Sequence, residues 1–439
     1  MLFRFAFPAR VHCAYAVAAT LAIVAFWGSA ALAASQPPAA SAPFYLRDGD
    51  TVVFYGDSIT EQRRFTEYIE SYCVTRFPLC RYSFINSGWG YETVDGGPGG
   101  DVDTRLDRDV IGYHPTVVVI CLGANDAGDK PFDRGRFDRF IVGYRHILDA
   151  LTKAMPGVRL TLISPPAYDD YTRPKHFSGG VNGVLQKYGE GIGELAREYR
   201  ATFADCNRPL AWFLRAANRN NPALAPSLLP DRVHPRQAGH LVIATAVLKA
   251  WHAPSTVFDV ALDCATGAEL GANRVSGFHA DASGVTFTAD DCLLPWPFDR
   301  DPARYPDVTF LLASTYLERD LDHDTLTVKG LGAGSYRLWI DGIPAGVFSA
   351  DDLNKGVNLA ALHTPMSARA DKILGQIRYV DHLHFDLWRN IELMGESNGD
   401  SFDQVLARRA HVKSVMDTAL AHIRVLAQPS AHRFTIRPI

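Results

Sequence analysis

The run Thr51-Val52-Val53-Phe54-Tyr55, broken at once by Gly56-Asp57-Ser58, decides the reading of this chain. Consecutive apolar or β-branched residues without polar alternation mark a strand covered on both faces, as in a parallel sheet. Behind it, Phe65, Tyr68, Ile69, Tyr72 and Cys73 recur at helical spacing. The alternation continues downstream: YSFIN (82–86), TVVVICL (116–122), RLTLIS (159–164) and ATFAD (201–205) read as strands. Helices are expected over the stripe from Phe137 to Leu151, near 181–200 and over 236–251. Short buried strands alternating with amphipathic helices make parallel β-α-β units, which right-handed crossovers stack into a three-layer α/β/α sandwich. In such folds, ligands bind beyond the carboxyl ends of the strands.

That rule selects four places. Ser58 follows the first strand, Gly88 and Gly90 follow the second, and Gly123-Ala124-Asn125-Asp126 follows the third. Asp231-Arg232-Val233-His234 opens the last helix. Their residue types complement one another for acyl transfer. A serine hydroxyl is a weak nucleophile until a base takes its proton. His234 can serve as that base, and Asp231, three residues earlier, can hold its other ring nitrogen. The oxyanion of a tetrahedral intermediate needs donors: the Ser58 N–H, an N–H from the loop after the second strand, and the Asn125 side-chain amide are the candidates.

The blocks GDSIT (56–60), NSGWGYETV (86–94), GAND (123–126) and DRVHP (231–235) together resemble those of the SGNH (GDSL-like) hydrolases, in the family's order. The resemblance covers about half the chain, Gly56 to His234. It implies a flavodoxin-like sheet and ester hydrolysis by Ser58, His234 and Asp231 without metal or other cofactor. The second block departs from the pattern. Aligned on Asn86 and Thr93, the position of the usual oxyanion glycine falls on Tyr91. Since a backbone N–H does not require glycine, the second donor is expected at Tyr91, Gly88 or Gly90. Asp57 and Asp126 are read as holding their loops through backbone hydrogen bonds.

Several other motifs are discounted. The glycine-rich DGGPGG (95–100) lacks the Lys-Ser/Thr of a phosphate loop and reads as a loop beside the site. Gly395-Glu396-Ser397-Asn398-Gly399 and Gly399-Asp400-Ser401 follow a helical stretch rather than a buried strand, so they read as an inter-helix loop and not a nucleophile elbow. His382 and His384 lie two apart on a helix, where side chains diverge. Asp320-x-Asp322-x-Asp324 begins like a calcium loop, but the twelfth position is Leu331.

The chain has 439 residues, 47% hydrophobic and 21% charged, with a formal charge of −4. Nothing resembles the basic stripe of a nucleic-acid binder. Residues 1–33, with Arg4 and Arg10 before an apolar run ending Ala31-Leu32-Ala33, read as an export signal cut after Ala33, so the expected location is secreted or periplasmic. No spanning segment follows. Residues 34–45 read as a flexible Pro/Ala/Ser-rich linker. The hydrolase domain is expected over 46–255, a small β-rich, sandwich-like domain over 256–362, and a helical segment over 363–439. Within the β-rich part, VTFTA (285–289), VTFLL (308–312), TLTVKGL (325–331), SYRLWID (335–341) and AGVFS (345–349) read as strands. An oxidising compartment would permit Cys73–Cys80 and Cys264–Cys292 disulfides, with Cys121 a buried thiol. The expected substrate is a small-molecule or polysaccharide ester, with carbohydrate O-acetyl esters favoured. Lipase, thioesterase, aryl-esterase or acyltransferase activity would use the same residues, and a catalytically spent binding protein is the rival from another class.

Overall fold

A computed structural model describes residues 43–394 and 399–439. The stretch read as an export signal, most of the stretch read as a linker and Ser397 lie outside them. Strand β1 (Thr51–Gly56) is flanked by β2 (Ser83–Gly88) and β3 (Val117–Cys121), and the sheet continues through β4 (Arg159–Ile163) to β5 (Thr202–Ala204). The order is β2-β1-β3-β4-β5 and every pairing is parallel. Successive residues of β1 point to opposite faces. Val52 and Phe54 enter the core beneath the helices Arg64–Arg76, Asn207–Asn220 and Gln237–Ala250. Val53 and Tyr55 enter the core beneath Arg134–Ala154 and Gly180–Tyr199. Two covered faces are why the run shows no polar alternation. The α/β/α sandwich is the one expected, with the flavodoxin-like strand order.

The linker reading fails at its end. Tyr45 stacks on Trp251 at 5.5 Å and its N–H donates to the Trp251 carbonyl, while Phe44 stacks on Phe77 at 4.5 Å. Two aromatic rings bury enough apolar area to tie the chain down before the sheet begins.

Beyond the sandwich, two sheets face each other. One runs β7 (Val275–Asp281), β8 (Gly284–Cys292), β12 (Ser430–Pro438), β10 (Ser335–Ile340), β11 (Ile343–Ser349), all antiparallel. The other is built on β6 (Thr256–Asp263) and β9 (His323–Lys329), paired in parallel. Phe258 and Phe287 both stack on Phe434 between them. The helices Pro365–Phe385 and Phe402–Ala427 close this core with Ile373, Ile377, Ala419 and Ile423.

Three expectations are corrected here. VTFLL (308–312) is not a strand but part of the helix Pro306–Ser314. Proline at its first turn is preset for a helix, and Val308 and Leu311 share one buried face. A short apolar run does not by itself distinguish strand from buried helix. The segment read as helical to residue 439 turns at Ser430 into β12, the middle strand of the antiparallel sheet. Its inward residues His432, Phe434 and Ile436 alternate with exposed ones, but its partners lie about a hundred residues or more away in sequence. Neither permitted disulfide is present. Cys73 is packed in the core under β1, Cys292 donates to the Ala289 carbonyl, and all six described cysteines, Cys121 included, are thiols.

Candidate active site

Strand β1 ends at Gly56, and the chain turns at once into a single helical turn, Ser58–Glu61. Asp57 caps it, its Oδ1 accepting the Ile59 N–H at 3.0 Å. Ser58 is thereby held at the strand mouth on the first helical residue, half-buried. Its O–H faces His234 Nε2 at 2.8 Å. The other ring nitrogen, Nδ1, donates to Asp231 Oδ2 at 2.6 Å, which leaves Nε2 free to accept from the serine. The second oxygen of Asp231 accepts the N–H groups of Val233 and His234 at 3.0 and 2.8 Å. Burial alone would raise the Asp231 carboxyl, but these bonds and the adjacent ring hold it below the usual range. The three side chains separated by up to 176 residues thus form one hydrogen-bonded line.

The loop after β2 is a tight turn. Trp89 N–H donates to Gly56 carbonyl at 2.9 Å, and Glu92 N–H closes back on Trp89 carbonyl at 3.2 Å. Its third residue, Tyr91, has φ +65°, the sign a type II turn requires and glycine favours. Among the three candidate donors, Gly88 N–H is taken by Asn86 Oδ1 at 3.0 Å and Gly90 N–H by Glu61 Oε2 at 3.1 Å. No acceptor among the described residues bonds the N–H of Tyr91 or of Ser58. Gly88 serves a different purpose: a Cβ there would fall 2.3 Å from Glu61 N, so its absence lets the Ser58 turn sit on the strand end. Asn125 Nδ2 donates to the Glu92 carbonyl at 2.9 Å, which orients the amide and leaves its second hydrogen unused. Asp126 Oδ1 accepts the Val94 N–H at 3.0 Å, so both flanking aspartates hold loops as expected.

Tyr91 is 80% exposed, its ring projecting from the turn. Tyr91→Gly is expected to keep the N–H, relieve a left-handed backbone worth about 1 kcal/mol, and leave activity on a short acyl ester within a few-fold. Longer acyl esters should gain relative to acetate. A large loss on every ester would show that the ring itself works in the site. Proline at 91 is unsuitable as a probe, because its ring demands φ near −65°.

The Asp57 carboxyl is wholly buried, and burial pushes it up to about 6, against an ordinary 3.8. In the unfolded chain it ionises first, so native stability falls as pH rises through the window from about 4 to about 6. Asp57→Asn retains a capping oxygen and removes the ionisation. Its unfolding free energy in urea should match that of the parent protein below about pH 4 and exceed it above pH 6, by at most about 3 kcal/mol. An offset that does not change with pH would contradict this.

A cavity of about 180 Å³ opens beside the serine, between Ile59, Asn125, Ala167, Tyr168, Val181 and Val233. Sequence reasoning missed this wall, because residues from five separate segments have no common spacing. It also missed Glu92 and Arg105, buried beneath the turn: Glu92 Oε1 accepts from Tyr55 O–H at 3.0 Å and from Arg105 Nε at 3.2 Å. A buried acidic-basic pair thirteen residues apart carries no sequence signature.

The discounted motifs have structural roles. Ser401 caps the helix Phe402–Ala427 in a reciprocal box with Gln404. His384 is packed between Tyr113 and Trp388. Asp320 pairs with Lys249 and Asp322 with Arg300, so neither is free for calcium. Among the described residues, no group of three or more His, Cys, Asp or Glu is placed to hold a metal ion.

Residues 54–242, from β1 into the helix after His234, match the model of the GDSL-like lipase/acylhydrolase family. Over this stretch the chain carries a GDSL-like lipase/acylhydrolase domain, and it is a carboxylic ester hydrolase. It is 25% identical over 224 residues to an acetylxylan esterase of Geobacillus stearothermophilus, covering 46% of this chain and 94% of the relative. The solved structure of a gut microbial diltiazem-metabolizing enzyme superposes with a TM-score of 0.77 at 24% identity, over 90% of this chain and 98% of its own. That likeness extends the shared fold through the β-rich and helical parts.

Proposed function

We propose that the protein is an exported serine esterase that removes small acyl groups, carbohydrate O-acetyl esters being the favoured class, through Ser58, His234 and Asp231. The observation that carries the reading is the line Ser58 Oγ–His234 Nε2–Nδ1–Asp231 Oδ2, at 2.8 and 2.6 Å. Ser58 Oγ attacks the ester carbonyl carbon as His234 Nε2 takes its proton. The carbonyl oxygen becomes an oxyanion, met by the Ser58 N–H, the Tyr91 N–H and the Asn125 amide. Collapse breaks the bond to the alkoxy oxygen, which leaves with the proton from His234. Water, deprotonated by the same ring, then releases the acid from the acyl-serine. Asp231 keeps the ring in the tautomer that accepts at Nε2 and steadies it when charged.

The small cavity lined by Asn125 and by Ile59 and Val233, the chain neighbours of Ser58 and His234, supports a short acyl group. The acetylxylan esterase relative supports a carbohydrate alcohol. The leader with Arg4, Arg10 and Ala31-Leu32-Ala33 supports export to the periplasm or medium. The test is release of acid from acetylated xylan, pectin and peptidoglycan beside nitrophenyl esters of increasing acyl length. Acetyl esters should be turned over best, with kcat/KM falling as the chain lengthens. A preference for long acyl chains would favour the lipase reading and sink this one.

A further inference from the structure

The turn that carries Tyr91 is gripped from outside the family domain. The helix Pro365–Phe385 continues into a π-helical stretch, Asp386–Glu392, a form that is rare and frequent at functional sites. It delivers Trp388 and Arg389 onto the loop after β2. The Arg389 guanidinium lies 3.3 Å over the Trp89 ring and donates from Nη1 to Glu61 Oε1 at 3.0 Å. The other oxygen of Glu61 accepts the Gly90 N–H at 3.1 Å. Glu61 is the last residue of the helical turn that begins with Ser58, so one carboxylate joins the nucleophile's turn, the donor loop and the C-terminal segment.

A second arm reaches the same turn from below. Trp388, 3% exposed, sits edge-on to Trp89 at 5.4 Å and donates its indole N–H to Asp109 Oδ1 at 2.8 Å. Asp109 is paired with Arg105, and Arg105 holds Glu92 and the Ser87 carbonyl. Glu92 in turn presents the carbonyl that orients Asn125. Both ends of the Trp89–Glu92 turn are therefore tied to residues 388 and 389.

We propose that Arg389 is a positioning residue for this site, holding the Tyr91 N–H through Glu61 and Trp89 where the oxyanion develops. The inference rests on the reading of Ser58 as nucleophile. Donors aimed before the reaction cost no reorganisation when charge appears, whereas the left-handed tyrosine strains its turn, and contacts from outside the turn must offset that strain. Arginine suits the place because its flat guanidinium covers an indole face while bonding a carboxylate, which an ammonium does poorly. The C-terminal segment is then part of the working hydrolase and not an appended module.

The experiment uses the full chain with Arg389→Met, Arg389→Lys and Glu61→Gln. Glu61→Gln replaces one of two acceptor oxygens with a donor nitrogen, a minimal change that breaks the chain of bonds should Arg389→Met fail to fold. Amide hydrogen exchange is read over residues 88–93 against β3 as control, and kcat and KM are measured on a nitrophenyl ester. The expected result is faster exchange at 88–93 only, with kcat lowered about 10- to 100-fold, KM little changed and lysine intermediate. Unchanged exchange at 88–93, or raised exchange with unaltered kcat, overturns the proposal. Ester hydrolysis that survives Ser58→Ala overturns the nucleophile instead, and the exchange measurement still decides the clamp.

Discussion

Ser58→Ala is expected to lower ester hydrolysis roughly 10⁴- to 10⁶-fold while the protein stays folded. The side chain ends in a half-buried mouth and touches His234, not the core, so its removal leaves no cavity to collapse. The residual rate would come from donors and binding alone, since the acyl-serine can no longer form. A fluorophosphonate probe should label the parent chain and not the variant. Ser401→Ala is the contrast: it removes a helix cap worth about 1 kcal/mol and should leave turnover unchanged. If Ser58→Ala kept most of its activity, the nucleophile would lie elsewhere.

The second large effect is at Asn125. Asn125→Ala is expected to lower kcat roughly 10²- to 10³-fold with KM nearly constant, because its free N–H is used mainly when the oxyanion forms. The amide has a second bond, to the Glu92 carbonyl, and removing it could also loosen the donor turn. Exchange at Gly90 and Glu92, the bonded amides on either side of Tyr91, separates the two contributions. If protection there is unchanged while kcat falls, the lost donor accounts for the effect. A change confined to KM would show that Asn125 binds substrate instead.

The distinction between these residues and Arg389 follows how information is laid along the chain. Ser58, Asn125, Asp231 and His234 sit at strand ends or a helix start, and the apolar runs that define those ends are local. The parallel sandwich was legible for the same reason: strands covered on both faces write their burial into consecutive residues such as Val52, Val53 and Phe54.

The proposed donor at Tyr91 was legible only as one of three. Its assignment rests on which N–H groups are already taken, and Asn86 and Glu61 decide that through bonds no spacing announces. The misread VTFLL shows the same limit, for five apolar residues satisfy a strand or one buried helical face until a neighbouring surface selects. Strand β12 pairs with partners far upstream, so its place at the centre of a sheet is a long-range fact.

By itself, then, the sequence determined the parallel α/β/α layers, their strand ends and the residue types at each, because helix and strand periodicity act over a few residues. Only the tertiary structure decided which backbone N–H is free, which segments wall the cavity beside Ser58, and that Trp388 and Arg389 reach back to Trp89 and Glu61. Apart from the Asn86–Gly88 bond, those are contacts between residues tens to hundreds of positions apart, and they arise when separate apolar faces pack, a step that leaves no periodic trace in the chain.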